Sequence, residues 1–153
     1  MSKVFLLADD DTDDAELFKE ALSVADSSAI FYHARDGQEV LDMLEDSNLE
    51  DPNFIFLDIN MPVLNGWECL SKLKSDKAYN NIPVIIYSTA SHQREIDIAF
   101  NLGASCFFTK PKDFKELKVN LKVLVDNVNS TLSQTVSGLK GFKCNDAMNV
   151  TGK

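Results

Sequence analysis

Asp9, Asp10, Asp11, Asp13 and Asp14 crowd one short stretch near the N-terminus, and a further acid, Asp58, closes an apolar run in the middle of the chain. Asp9 and Asp10 stand where an apolar strand ends and before a helix begins, and adjacent carboxylates there repel each other unless a cation neutralises them. Asp11, Thr12, Asp13 and Asp14 read more simply as a helix cap, because acids at a helix N-terminus accept free backbone N–H groups and offset the positive end of the dipole. A calcium loop is excluded. Asp9, Asp11, Asp13 and Glu20 fall at four EF-hand ligand positions, but the sixth position needs Gly and holds Asp14, and a strand rather than a helix precedes it. Two more polar residues end apolar runs: Ser88 after Ile85-Ile86-Tyr87, and Lys110 after Phe107-Phe108-Thr109. A carboxylate, a hydroxyl, an ammonium and a cation together can bind a phosphoryl group and stabilise its transfer.

The elements that must position these groups follow from hydrophobic period. Val4 to Ala8, Phe54 to Leu57, Val84 to Tyr87 and Cys106 to Thr109 are continuous apolar runs, the signature of strands buried on both faces of a parallel sheet. Ala29 to Ala34 is a weaker strand, nearer an edge. Between them the period becomes helical: Leu17, Phe18, Ala21, Leu22 and Ala25 form one stripe, Val40, Leu41 and Leu44 a second, Trp67, Leu70 and Leu73 a third, Ile96, Ala99 and Gly103 a fourth, and Phe114, Leu117, Leu121, Leu124 and Val128 a fifth. Strand then helix, repeated, implies right-handed crossovers. The expected fold is α/β: a doubly wound five-stranded parallel sheet in the flavodoxin-like order 2-1-3-4-5, with helices on both faces. In that order the first and third strands are neighbours, about 4.8 Å apart. Asp9, Asp10 and Asp58 can then converge on one cation, and an all-oxygen, partly hydrated site favours Mg²⁺.

Composition narrows the function further. The 153 residues carry 15 Lys and Arg against 24 Asp and Glu, a net charge of -9, which argues against a nucleic-acid surface. Hydrophobic residues make up 44% of the chain, as in a globular protein with a real core. The apolar run at the N-terminus is too short for a signal peptide, and no stretch approaches the length of a membrane span. Cys69, Cys106 and Cys144 are odd in number and far apart, without a C-x-x-C pair, so neither a zinc ribbon nor a disulfide framework is expected, and a reducing cytoplasm fits best.

From Lys3 to Asn127 the chain resembles the response-regulator receiver domains of two-component signalling, the CheY-like family. The resemblance rests on Phe5-Leu6-Leu7-Ala8-Asp9-Asp10-Asp11, Arg35-Asp36-Gly37, Leu57-Asp58-Ile59-Asn60-Met61-Pro62, Gly66, Pro83-Val84-Ile85-Ile86-Tyr87-Ser88, Gly103-Ala104 and Lys110-Pro111, in order and at family spacing. It implies that Asp58 accepts a phosphoryl group from a histidine kinase or phosphotransfer protein. It implies Mg²⁺ on Asp10, Asp58 and the backbone carbonyl of Asn60, with Asp9 bound through water. Ser88 would hydrogen-bond the phosphoryl group, Lys110 would pair with it, and Phe107 holds the switch-aromatic position, without the hydroxyl of the commoner Tyr. A cis Lys110–Pro111 bond is expected. Thr89 is larger than the family's usual residue, and Asn60 and Ala90 occupy the positions that tune dephosphorylation. The segment Asp13-Asp14-Ala15-Glu16-Leu17 resembles stand-alone regulators of the phytochrome-associated subgroup.

The resemblance implies a switch rather than a turnover enzyme, with a receiver domain over residues 3–128; the change to Ser, Thr, Asn, Gly and Lys from about Asn129 marks a C-terminal extension over 129–153, expected to continue the last helix or be mobile. On the output face, Val119 and Val123 lie opposite the core stripe of the fifth helix and Ile98 lies off that of the fourth. The fourth helix, fifth strand and fifth helix are therefore the expected surface for a downstream protein or a homodimer. Three competing functions fit less well. A dehalogenase-type phosphohydrolase needs a second acid where Asn60 stands, a flavin carrier needs a phosphate loop where Asp9 to Asp14 would repel one, and a degenerate receiver acting only as an interaction module would not need Asp9, Asp10, Asp58, Ser88 and Lys110.

Overall fold

The apolar runs become the strands of one sheet, and the amphipathic stripes become helices laid on both of its faces. The computed structural model describes residues 3–89 and 92–145. In chain order the elements are β1 (Val4–Ala8), α1 (Thr12–Ala25), β2 (Ile30–Ala34), α2 (Gly37–Glu45), β3 (Phe54–Leu57), α3 (Gly66–Ser75), β4 (Val84–Ser88), α4 (Gln93–Asn101), β5 (Cys106–Thr109), α5 (Phe114–Asp126), α6 (Leu132–Thr135) and β6 (Phe142–Cys144). The sheet order is β2-β1-β3-β4-β5-β6. The first five strands are parallel, in the expected 2-1-3-4-5 order, and β2 is an edge strand, which explains its half-buried side chains.

Strand alternation splits the core into two layers. Phe5, Leu7, Phe56, Tyr87 and Phe108 face α1 and α5, where they meet Phe18, Leu22, Leu121 and Leu124. Leu6, Leu57, Ile86 and Phe107 face α2, α3 and α4, meeting Val40, Leu70, Leu73 and Ile96. The first layer is built largely from aromatic rings in tilted and edge-on contact, with Phe18 edge-on to Phe56 at 5.0 Å and to Tyr87 at 5.6 Å. Leu17 departs from the stripe expected of it: it is 46% exposed, because one helical step carries it away from the line of Ala15, Phe18 and Leu22.

The described part of the tail, up to Asn145, differs from expectation, and residues 146–153 lie outside the described residues. It does not continue α5, which ends at Asp126. It turns at Gly138 and Gly141, both at positive φ, and lays β6 antiparallel along the outer edge of β5. Val136 is buried against the α1 and α5 layer with Leu132 and Leu139 packed beside it, and Phe142 stacks on Phe108 at 4.0 Å. The Thr109 amide donates to the Gly141 carbonyl at 2.9 Å, and the Asn145 amide donates to that of Ser105 at 3.0 Å. The sheet therefore has six strands among the described residues, and the edge of β5 is covered.

The expectation of unpaired cysteines is also overturned, because Cys106 and Cys144 form a disulfide across β5 and β6. Antiparallel pairing brings together two residues 38 apart in sequence. Cys69 remains a buried free thiol, pushed up to about 12 by burial and the nearby charge of Asp36. None of the described helices is long and apolar enough to cross a membrane.

Closing a loop of this length restricts the unfolded chain. Replacing Cys144 with Ser lowers unfolding free energy by about 2–4 kcal/mol, read by urea denaturation without reductant. Reduction of the unmodified protein produces a matching loss.

Candidate functional site

Parallel strands end together, and that shared edge builds the site. Ala8 is in register with Leu57, Leu57 with Ile86, and Ile86 with Phe107. Asp9 and Asp58 are thus each one step past the same rung. The ladder continues through them: the Asp58 amide donates to the Ala8 carbonyl at 2.9 Å and the Asp9 amide to that of Ala34 at 3.0 Å. One carboxylate oxygen each from Asp9, Asp10 and Asp58 lies within 4.8 Å of the others. Asp9 is fully buried, the Asp58 side chain is 14% exposed, and Asp10 faces solvent.

Asp9 is held on every side. One carboxylate oxygen accepts from the Asp11 amide at 2.9 Å, the other from the Lys110 ammonium at 2.7 Å, and its backbone carbonyl lies 2.8 Å from His33 Nε2. Asp11 is the N-cap of α1, accepting from the Asp13 and Asp14 amides, as expected. Asp14 does more than cap. Its carboxylate accepts from Lys110 at 2.8 Å. Sequence reasoning missed this contact, and the one available signal was a helical offset that turns Asp14 back towards the sheet.

The loop after Asp58 is held by the start of α3. A side chain on Gly66 would collide with the Asp58 carbonyl, so only glycine lets the helix start this close. The Gly66 amide donates to the Ile59 carbonyl at 2.9 Å, Asn65 and Glu68 form a capping box, and Ile59 and Met61 are buried beneath the loop. Val63 has φ of 64°, a conformation costly for a β-branched residue, and its side chain is 81% exposed.

Lys110 is the cation among these acids. Its ammonium is 2.7 Å from Asp9, 2.8 Å from Asp14 and 3.7 Å from Asp58, and 5.3 Å from the centre of the Tyr87 ring. Burial alone would push this amine down, but the hydrogen bonds to Asp14 and Asp9 and the charge of Asp58 win and hold it above the usual lysine value. Asp58 is pushed the other way, up to about 6. Burial is the main cause and the Asp9 carboxylate adds to it, while Lys110 opposes. The ammonium donates to Asp9 and Asp14 and stands off Asp58 at 3.7 Å, while Asp10 has no ion pair among the described residues. Three converging carboxylates without a nitrogen or sulfur donor fit a hard divalent cation.

The remaining expected residues fall around this centre. Ser88, the last residue of β4, is buried and in register with Thr109. By alternation it shares the α4 side of the sheet with Ile86 and Phe107. Phe107 is 1% exposed, so the aromatic already points inward. Asn60 and Thr89 are exposed, and Ala90 lies outside the described residues. The Lys110–Pro111 bond is trans, contrary to expectation. Lys110 points inward without it, because its amide donates to the Ser88 carbonyl at 2.7 Å and its ammonium is drawn to the buried acids. Val119 is 52% exposed as expected, but Val119 and Val123 border a groove with Val24 of α1, not with α4.

Comparison with known proteins agrees with this geometry. The family model for the response regulator receiver domain matches residues 5–122. Response regulator Rcp1 of Synechocystis is 29% identical over 119 residues, 75% of this chain and 81% of its own length. A chemotaxis protein CheY homolog of Campylobacter jejuni is 28% identical over 117 residues, covering 76% of this chain and 88% of its own. The phosphorylated cyanobacterial phytochrome response regulator RcpA superposes with a TM-score of 0.76 at 28% identity, over 85% of this chain and 98% of that one. The Mn²⁺-bound form of Rcp1 superposes at 0.73 with 27% identity, over 84% and 99%.

Two outcomes follow from the electrostatics and the tight loop. A folded-state carboxyl at about 6, against an ordinary 3.8, binds its proton more tightly than the unfolded chain does. Its burial therefore costs nothing below about pH 4 and its full penalty above about pH 6, so this contribution to stability falls as pH rises through that window. Asp58→Asn should match the unmodified protein near pH 4 and exceed it by about 1–3 kcal/mol near pH 7, a gap that saturating Mg²⁺ narrows; denaturation curves across pH read it. Gly66→Ala should destabilise by about 1–3 kcal/mol and weaken Mn²⁺ binding followed by Trp67 fluorescence.

Proposed function

The chain belongs to the response regulator receiver domain family, and on that premise we propose that Asp58 accepts a phosphoryl group from the phosphohistidine of a sensor histidine kinase or phosphotransfer protein. The convergence of Asp9, Asp10 and Asp58 around Lys110 at one sheet edge carries this reading. A carboxylate oxygen of Asp58 attacks phosphorus, the P–N bond breaks, and its electron pair leaves with the imidazole of the donor. The reaction needs Asp58 ionised, and a carboxyl near 6 is mostly so at neutral pH. Lys110 pairs with the transferred oxygens and the Ser88 hydroxyl donates to one of them. Asp10, Asp58 and the Asn60 carbonyl would hold Mg²⁺ directly and Asp9 through water. Bound there, the ion supplies positive charge to the oxygens in transfer.

The product is a switch. Phosphorylation adds about -1.5 to -2 of charge and three acceptor oxygens. Ser88 and Phe107 share one face of the sheet, so a pull on Ser88 towards the phosphoryl group stabilises the inward Phe107 and shifts the population towards this arrangement. The responding surface is α4, β5 and α5, with β6 now part of its edge, and it meets a downstream protein or a second copy of the chain. The chain is modified and reset, without external turnover.

Intact mass after incubation with acetyl phosphate and Mg²⁺ tests the core of the reading. One phosphoryl adduct per chain is expected, lost on chelation and in Asp58→Asn. An unmodified chain that stays unlabelled overturns the proposal. Sedimentation of both states separates a second copy from another partner.

A further inference from the structure

Asp14 was expected to be a helix cap, yet its carboxylate takes one of the strongest contacts in the site. We propose that Asp14 is a positioning residue that holds the Lys110 ammonium off Asp58 and so limits how readily the acceptor takes and keeps a phosphoryl group. The inference rests on the reading of Asp58 as acceptor. Lysine offers three N–H donors. Asp9 and Asp14 take two of them at 2.7 and 2.8 Å, and the Asp58 oxygen stands at 3.7 Å, outside hydrogen-bond range. The Lys110 side chain is only 9% exposed and lies over the Tyr87 ring, so the ammonium itself is largely shielded from water.

The two holders differ. Asp9 is buried on β1's end and also ties the Asp11 amide, so it is a fixed anchor. Asp14 sits in the first turn of α1, and its side chain is 33% exposed. It can give up the ammonium at lower cost, since water replaces the lost contact. A phosphoryl group on Asp58 presents new oxygens that must draw Lys110 across from Asp14. Each labelling event therefore breaks or stretches the Lys110–Asp14 pair, and the reverse step is helped by its return. Asp13 provides an internal control, being equally charged, one residue away, exposed and outside the ion pairs of Lys110 among the described residues.

The test measures beryllofluoride affinity in Mg²⁺ by Trp67 fluorescence, together with the labelling rate and adduct lifetime with acetyl phosphate. Asp14→Asn should tighten the analogue and lengthen adduct lifetime by roughly 3- to 10-fold. Asp13→Asn should stay within about 2-fold of the unmodified protein, and Asp14→Glu should return towards it. An effect of equal size in Asp13→Asn would reduce Asp14 to general charge and overturn the inference, as would an unchanged Asp14→Asn. If Asp14→Asn fails to fold, Asp14→Ser is read by the same criteria. A wild-type chain that takes neither analogue nor phosphoryl group overturns the acceptor reading and this one together; a labelled wild type with an unresponsive Asp14→Asn overturns this one alone.

Discussion

A single ammonium has to satisfy three carboxylates at the edge of a parallel sheet, and much of the molecule is arranged around that charge balance. Lys110 reaches the acids because β5 runs two residues past the rung on which β1 and β3 end, and because the first turn of α1 folds back over it. Buried acids without a cation would neutralise themselves by taking up protons. With one, Asp9 lies fully covered against an ammonium at 2.7 Å, and one oxygen each of Asp9, Asp10 and Asp58 converges where an ion could sit. Three converging carboxylate oxygens are the ligand set that a hard divalent cation prefers.

What the sequence reveals depends on how local the cause is. Buried strands carry no polar alternation, so Val4–Ala8, Phe54–Leu57 and Cys106–Thr109 are readable to the residue, and an acid or lysine closing such a run is conspicuous. Strand order then places Asp9 beside Asp58 without any further information. Asp14 was hidden because a helix-start acid already has a sufficient explanation in backbone capping; its contact with Lys110 spans 96 positions. The tail was hidden for a different reason. Val136, Leu139 and Phe142 are too few and too unevenly spaced to announce a strand, and β6 has three residues. Its placement comes from an open edge on β5, a ring-on-ring contact between Phe142 and Phe108, and a cysteine opposite Cys106. Those are properties of the assembled sheet. The trans Lys110–Pro111 bond shows the converse: a local feature borrowed from relatives was unnecessary once tertiary contacts aimed the side chain.

The two core layers divide the labour. By alternation Asp9, Asp58 and Lys110 fall on the side of the aromatic α1–α5 layer, while Ser88 falls with Phe107 on the side under α4. Chemistry on one face of the sheet therefore reaches the other through the last residues of β4, where alternation turns neighbouring side chains to opposite sides. Tyr87 and Ser88 are adjacent in sequence and separated by the thickness of the sheet.

The disulfide and β6 have a mechanical consequence. Cys106 and Cys144 close a covalent ring that contains the rest of β5, all of α5 and the tail up to β6. Tension applied beyond Asn145 enters the molecule at Cys144 and passes straight into Cys106, bypassing everything between. A cargo tethered at that end would tug on β5 itself, the strand that carries Phe107 and leads to Lys110, whereas in a chain without the bridge the same tug would first peel away β6 and then unwind α5. The tail at Cys144 is covalently wired to the strand that leads to Lys110, and force on one is felt at the other.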